Sequence, residues 1–279
     1  MAPQPSTAAA APLVLITGAS SGIGQALALR YHQAGWRLAL IARRTDLIKT
    51  WAEAHQLRGS SYVIYSADVS DKAQIIAACE QCLATQGLPD VVIANAGVSY
   101  GVDTAEREDL DVMEQTYAIN VIGMAATFHS FVRPMQQRGS GSLVGIASVA
   151  GIRGLPGHGA YCASKAAVIS YCETLRVELA PAGVQVTTIC PGFVATPLTR
   201  ENRYAMPFLM QPAAFADKAF GVIARGRSYA VIPWQMAGVA KLLRLLPNWL
   251  YDRALANRPR KHRHSERTAA DAGQPPSAP

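Results

Sequence analysis

The feature that most constrains this chain is a series of short apolar runs recurring along most of its length. LVLIT (13–17), RLALIA (37–42), SYVIYS (61–66), DVVIAN (90–95), GSLVGIA (141–147) and VQVTTIC (184–190) each read as a strand. Most are continuous rather than alternating, the pattern of strands buried on both faces of a parallel sheet. Helix-length segments such as 22–34 and 161–180 lie between them. This alternation predicts one doubly wound α/β domain. A further run, SYAVIP (228–233), brings the expected parallel sheet to about seven strands.

The 279 residues suffice for one large domain or two small ones, and no second domain or internal repeat is visible. Half the residues are apolar and few are charged, which suits a filled core. No apolar run approaches the ~20 residues of a membrane-spanning helix. Residues 1–12, rich in Ala and Pro with no basic side chain, read as a disordered lead rather than a signal peptide. Most of the net charge of +7 belongs to the C-terminal end, where Arg253, Arg258, Arg260, Lys261, Arg263 and Arg267 face only Glu266. The remaining body is nearly balanced, which argues against a nucleic-acid binder. Five cysteines without an export signal suggest a reducing, cytoplasmic setting. Cys79 and Cys82 form a C-x-x-C without a second ligand pair and read as buried apolar side chains; no metal site is expected.

The first strand runs into TGASSGIG (17–24). Glycines in a βα turn permit a tight bend and let the backbone approach a pyrophosphate seated on the helix N-terminus. The spacing is G-x-x-x-G-x-G (Gly18, Gly22, Gly24), and a tight turn with no ligand is the alternative. The second strand ends LIARR, with Ala42 where an NAD-binding sheet usually carries an acid, followed by Arg43 and Arg44. Arginine can bind an adenosine 2′-phosphate bidentately, and cations are disfavoured at a helix start. NADP(H) is therefore the preferred coenzyme, with NAD(H) still open.

In GHGAYCASKAAV (157–168), Tyr161 precedes Lys165 by four residues and shares its helix face. The pair reads either as a surface contact or as a device for acidifying the phenol. Free tyrosine, with a pKa near 10, is a reluctant acid or base at neutrality, and an adjacent ammonium can lower that value by about 1–3 pH units.

TGASSGIG, ADV (67–69), ANAG (94–97), Asn120 in AINVIG, Ser148 in GIASVAG, YCASK and PGFVAT (191–196) occur in that order. Together they resemble the short-chain dehydrogenase/reductase family, a Rossmann-type fold, over roughly residues 13–233. The resemblance implies Asn120, Ser148, Tyr161 and Lys165 as the catalytic set. Tyr161 would be general acid/base, Ser148 donor to the oxyanion, Lys165 ligand of the nicotinamide ribose, and Asn120 holder of a water feeding the proton route. It implies coenzyme contacts from Gly18, Ser20, Ser21, Gly22, Ile23, Gly24, Arg43 and Arg44, and adenine contacts from Asp68 and Val69. Asn95, Ala96 and Gly97 would support the coenzyme, and Pro191, Gly192 and Thr196 would flank the nicotinamide. Ala94 stands where many members have a further asparagine. The implied activity is NADPH-dependent reduction of a ketone or aldehyde, or the reverse, commonly in a homodimer or homotetramer. A catalytically silent nucleotide-sensing or scaffold protein on this fold is the alternative.

The segment after Gly192 carries Phe193, Leu198, Tyr204, Met206, Phe208, Leu209 and Met210. It suits an adaptable cover over a lipophilic substrate, or simple packing on the body. Beyond it, residues 234–257 read as two amphipathic helices broken at Pro247, and 258–279 as a basic disordered tail. In the helices Val239, Leu242, Leu243, Leu246 and Leu250 oppose Lys241, Arg244, Asn248 and Asp252. Packing on protein is favoured for this segment, with a peripheral membrane contact as the alternative.

Overall fold

Alternate residues of each central strand enter opposite faces of one sheet. β1 (Leu13–Thr17) sends Leu13 and Leu15 into one core and Val14 and Ile16 into the other, and all four are fully buried. β2 (Arg37–Ala42) does the same, with Ala39 and Ile41 on the first face and Leu38 and Leu40 on the second. Burial on both faces is why these runs are continuous, and each large aliphatic side chain contributes about 1.5–3 kcal/mol. The computed structural model describes residues 11–200, 202, 205–256, 260, 261 and 263.

β3 (Tyr62–Ser66), β4 (Val91–Ala94), β5 (Gly141–Ile146), β6 (Val184–Pro191) and β7 (Tyr229–Ile232) complete a seven-stranded, wholly parallel sheet of order β3-β2-β1-β4-β5-β6-β7. The helices are α1 (Gly22–Gln33), α2 (Thr45–Ala54), α3 (Lys72–Gln86), α4 (Glu108–Tyr117), α5 (Gly123–Arg138), α6 (Gly159–Leu179), α7 (Pro212–Ala224), α8 (Trp234–Leu245) and α9 (Asn248–Leu255). Buried residues of α3, α5 and α6 join the first core, around Phe128 and Phe131. Those of α1, α2 and α7 join the second, around Leu27 and Phe215. Cys79 and Cys82 are buried in the first core, where burial pushes both thiols up to about 12 and leaves them inert.

The chain winds outward from β1 to β3, then crosses to β4 on the other side of β1. Loops after β1 and β4 therefore diverge, opening a crevice at the carboxyl ends of the strands, where ligands bind in sheets of this kind.

Pro247 separates α8 from α9, and Arg153 holds the corner between them. Its guanidinium donates to the Arg244 and Leu246 carbonyls at 2.9 and 3.1 Å and to Asn248 Oδ1 at 3.0 Å. It also lies over the Tyr251 ring at 4.1 Å, while the Tyr251 hydroxyl donates to the Gly154 carbonyl. The expected polar residues Lys241, Arg244, Asn248 and Asp252 are all exposed, and of the expected apolar face Val239, Leu243 and Leu246 are half-buried while Leu242 and Leu250 are exposed; Met236, Ala240, Tyr251 and Leu255 are the buried residues. Met236 packs against Gly192, just past β6, where a Cβ would meet its Cγ at 2.8 Å. No helix among the described residues is long and apolar enough to cross a membrane.

Candidate active site

The glycine turn is tied to the crevice by Asn95. Its Nδ2 donates to the carbonyls of Thr17 (2.9 Å) and Gly18 (3.4 Å), while Thr17 Oγ1 accepts from the amides of Asn95 and Ala96, both at 3.1 Å. Gly18 adopts φ +69, and a Cβ there would meet the Ala96 Cα at 2.8 Å. A Cβ on Gly24 would lie 2.2 Å from the Gly18 carbonyl oxygen, so the first turn of α1 packs directly on the loop. Ser21 occupies the N-cap in extended backbone without a side-chain capping bond, and no acid lies in the first turn. Backbone amides at such a terminus can accept an anion.

At the end of β2, Arg43 and Arg44 precede α2, and Arg44 is an N-cap that makes no side-chain cap. Arg43 Nη1 lies 3.2 Å from Asp68 Oδ2, and Asp68 Oδ1 accepts from the Ser70 amide and hydroxyl at 2.9 and 2.7 Å. Although partial burial acts the other way, these bonds and Arg43 hold the Asp68 carboxyl below its usual range.

Tyr161 and Lys165 lie on the first turns of α6, in register as the four-residue spacing requires. Lys165 is fully buried. Its Nζ donates to the Ile146 carbonyl at 2.8 Å and stands 5.9 Å from the Tyr161 ring centre. Burial pushes Lys165 down to about 8, partly offset by the Cys190 and Cys172 sulfurs. Ser148, just past β5, caps a 3₁₀ turn by accepting from the Ala150 amide at 3.1 Å.

Asn120 sits in a π-helical turn, Ala118–Ile122, between α4 and α5. Its Oδ1 accepts from the Val98 amide at 2.9 Å. Its Nδ2 donates to the Val98 carbonyl (3.0 Å) and to Ser164 Oγ (2.9 Å). The widened turn carries this amide, which clamps the loop that follows Gly97. A Cβ on Gly97 would stand 3.2 Å from Asn120 Oδ1 and 3.3 Å from Lys165 Nζ, so glycine there lets both polar groups converge.

These elements enclose a cleft of about 520 Å³. Every catalytic and coenzyme-binding residue expected from the sequence lines it except two, Gly24 and Asn120. Gly24 lies behind the loop it packs on, and Asn120 lies behind Val98 and Ser164, so both act on the wall from outside. Of the apolar cover, Phe193 and Leu198 line the cleft. Met210 is held to the body by backbone bonds with Phe193 and Ala195, while Phe208 and Leu209 are exposed. Tyr204 lies outside the described residues.

Sequence reasoning missed His158 and Lys261, which also line the cleft. Burial holds the His158 imidazole below its ordinary value; a hydrogen bond with the Pro156 carbonyl opposes this and Lys261 adds to it. The expectation of a disordered segment from residue 258 is corrected at Arg260, Lys261 and Arg263, which are placed on the body. Arg263 Nε lies 2.8 Å from the carboxylate of Asp109, itself only 2 % exposed, and this ion pair anchors the segment. The rest of that tail, like residues 1–10, falls outside the described residues.

The sequence model of the short chain dehydrogenase family matches residues 12–206. The chain belongs to the short-chain dehydrogenase/reductase family. An uncharacterized oxidoreductase of Myxococcus xanthus is 38% identical over 240 residues, covering 86% of this chain and 94% of its own. A family member from Burkholderia phymatum in complex with NAD superposes with a TM-score of 0.75 at 25% identity, covering 89% of this chain and 96% of its own. One from Sphingobium yanoikuyae in complex with NADPH gives 0.70 at 25% identity, covering 96% and 98%. The protein is an NAD(P)-dependent oxidoreductase acting on a small molecule.

Proposed function

We infer that this protein is an NADPH-dependent reductase of an apolar ketone or aldehyde, or the reverse alcohol dehydrogenase. The observation that carries this reading is the convergence of Ser148, Tyr161 and buried Lys165 on one cleft that Arg43 and Arg44 also line. The uncapped start of α1 and the close approach of Gly24 to Gly18 suit a pyrophosphate. The two arginines suit the additional phosphate of NADPH, and Asp68, already paired with Arg43, stands ready for the adenine side. When bound, the nicotinamide supplies the hydride to the carbonyl carbon.

The chain itself supplies the proton and its route. The Tyr161 hydroxyl donates to the carbonyl oxygen as negative charge develops there. Ser148 accepts from Ala150 through its lone pair, so its own proton is available to the same oxygen. Lys165 favours the phenolate left on Tyr161 and, poised at about 8, can return a proton near neutrality. Asn120 keeps the loop after Gly97 in place through its bonds to Val98. Phe193 and Leu198 offer an apolar wall to the body of the substrate.

The test is coenzyme oxidation with a panel of ketones and aldehydes of graded chain length, run with NADPH and NADH in parallel. Turnover of apolar members with NADPH is expected. Turnover confined to small polar carbonyls, or a clear preference for NADH, would contradict the reading.

A further inference from the structure

The outward sides of α8 and α9 carry large apolar side chains of the kind a helix usually turns inward. α8 has 12 residues, and at 3.6 residues per turn Trp234, Lys241, Leu242 and Leu245 share one face while Met236, Val239, Ala240 and Leu243 share the other. The second face is turned to the body, with Met236 and Ala240 buried and Val239 and Leu243 half-buried. The first is open. Trp234, Leu242 and Leu245 are 74%, 63% and 79% exposed around an exposed Lys241. α9 repeats the arrangement in 8 residues: Tyr251 and Leu255 are buried, while Trp249, 71% exposed, and Arg253 lie one turn apart on the opposite side. Scattered exposed apolar side chains are ordinary, but a stripe along a whole helix, continued by a second exposed tryptophan four residues on, marks a contact surface.

Composition and charge select its occupant. The residues outside the described set bring Met1 and Tyr204 as their only large apolar side chains, so the remaining chain has little to lay over two tryptophans and two leucines. A second copy is a poor match. Lys241 stands within the stripe, and α8 adds Arg244 but no acid, so the same face turned on itself would set buried cations against cations. Charged residues are depleted from the cores of protein interfaces. A lipid surface accommodates both features. Tryptophan and leucine enter the boundary between headgroups and acyl chains, and a lysine among them extends its ammonium to the phosphates. Lys241, Arg244 and Arg253 outnumber Asp252 on the two helices, so the headgroups they match are anionic. Both helices fall short of the ~20 residues that span a bilayer, which leaves them lying in its surface.

We propose that the outward faces of α8 and α9 dock the protein on an anionic lipid surface. The proposal is independent of the reductase reading, since it calls on no coenzyme or substrate.

The experiment is flotation of the full-length protein with vesicles of phosphatidylcholine, and with vesicles of equal parts phosphatidylcholine and phosphatidylglycerol. It is repeated on Lys241→Glu and on the triple variant Leu242→Ser/Leu245→Ser/Trp249→Ser, whose positions are all exposed; thermal unfolding establishes that each variant is folded. Wild type should bind the mixed vesicles about tenfold or more tighter than phosphatidylcholine alone, and its tryptophan emission should shift to the blue as Trp234 and Trp249 leave water. The triple variant, with every basic residue intact, should lose about tenfold or more on the mixed vesicles. Lys241→Glu should weaken binding to the mixed vesicles and leave binding to phosphatidylcholine unchanged. Wild type that stays off both vesicles, or binding that survives the triple substitution, would overturn the proposal. Self-association that the triple substitution abolishes, without vesicle binding, would assign the face to a second copy and overturn it as well.

Discussion

Lys165 Nζ donates a 2.8 Å hydrogen bond to the Ile146 carbonyl and stands 5.9 Å from the centre of the Tyr161 ring. One buried nitrogen thereby joins the end of β5, two residues before Ser148, to the turn of α6 that carries the phenol. The geometry of the site and the electrostatics of the fold meet at this group.

Burial of Lys165 makes the stability of the cofactor-free protein depend on alkaline pH. Below about 8 the native state must hold a buried ammonium, and the full penalty applies. Between about 8 and 10.5 the native lysine gives up its proton while the unfolded chain retains it, so stability rises with pH across that window. The change is roughly 3 kcal/mol. Urea denaturation of wild type and Lys165→Met from pH 7 to pH 10 should show the variant's relative stability falling by about that amount. A constant difference between the two would contradict the assignment.

Asn120→Ala should destabilise the fold as well as slow turnover. It strips partners from the half-buried Val98 amide and carbonyl and one of two from buried Ser164 Oγ, and a group left unsatisfied away from water costs about 1–3 kcal/mol. A loss of about 2–4 kcal/mol in chemical denaturation is expected once relaxation is allowed for. A fully stable Asn120→Ala would mean that the clamp on Val98 is dispensable.

Two glycines should respond in opposite ways to the same change. Gly24→Ala forces a Cβ to 2.2 Å from the Gly18 carbonyl and should weaken both coenzyme binding and the fold. Gly238→Ala, in α8 with nothing within 4 Å, should stabilise by about 0.5–1 kcal/mol through helix propensity. Thermal unfolding of the two variants separates loop packing from propensity.

The difference between what was legible in the sequence and what was not follows from the range of the contacts. β1 and β2 were readable because burial on both faces demands unbroken apolar runs. Tyr161 and Lys165 were readable because helical spacing brings them together. Lys261 was not, since it is placed by the pairing of Arg263 with Asp109, 154 residues apart, and a run of basic residues near the C-terminus carries no sign of that partner. The polar side of α8 and α9 was legible from spacing, since Lys241, Arg244, Asn248 and Asp252 are exposed, but the burial of Met236 against Gly192 was not, because it depends on a contact with the end of a distant strand. Asn120 was placed by its motif, but the π turn that aims its side chain has no signature in spacing.

Arg44→Ala should separate the two coenzymes. On the proposed coenzyme reading, loss of the Arg44 guanidinium should weaken NADPH by about tenfold or more and leave NADH within about twofold. Fluorescence titration with each coenzyme checks this. Equal losses for both would place Arg44 in the fold rather than in coenzyme choice. Arg43 is a less clean probe, because its removal also strips Asp68 of its cation.

The central claim is that Tyr161 exchanges the proton, and Tyr161→Phe tests it most directly. The substitution removes one hydroxyl and keeps the ring in its place above Lys165. NADPH affinity by fluorescence titration should stay within about twofold of wild type, while kcat on the best carbonyl of the panel falls by about a hundredfold or more. A Tyr161→Phe enzyme that retains full turnover would contradict the account.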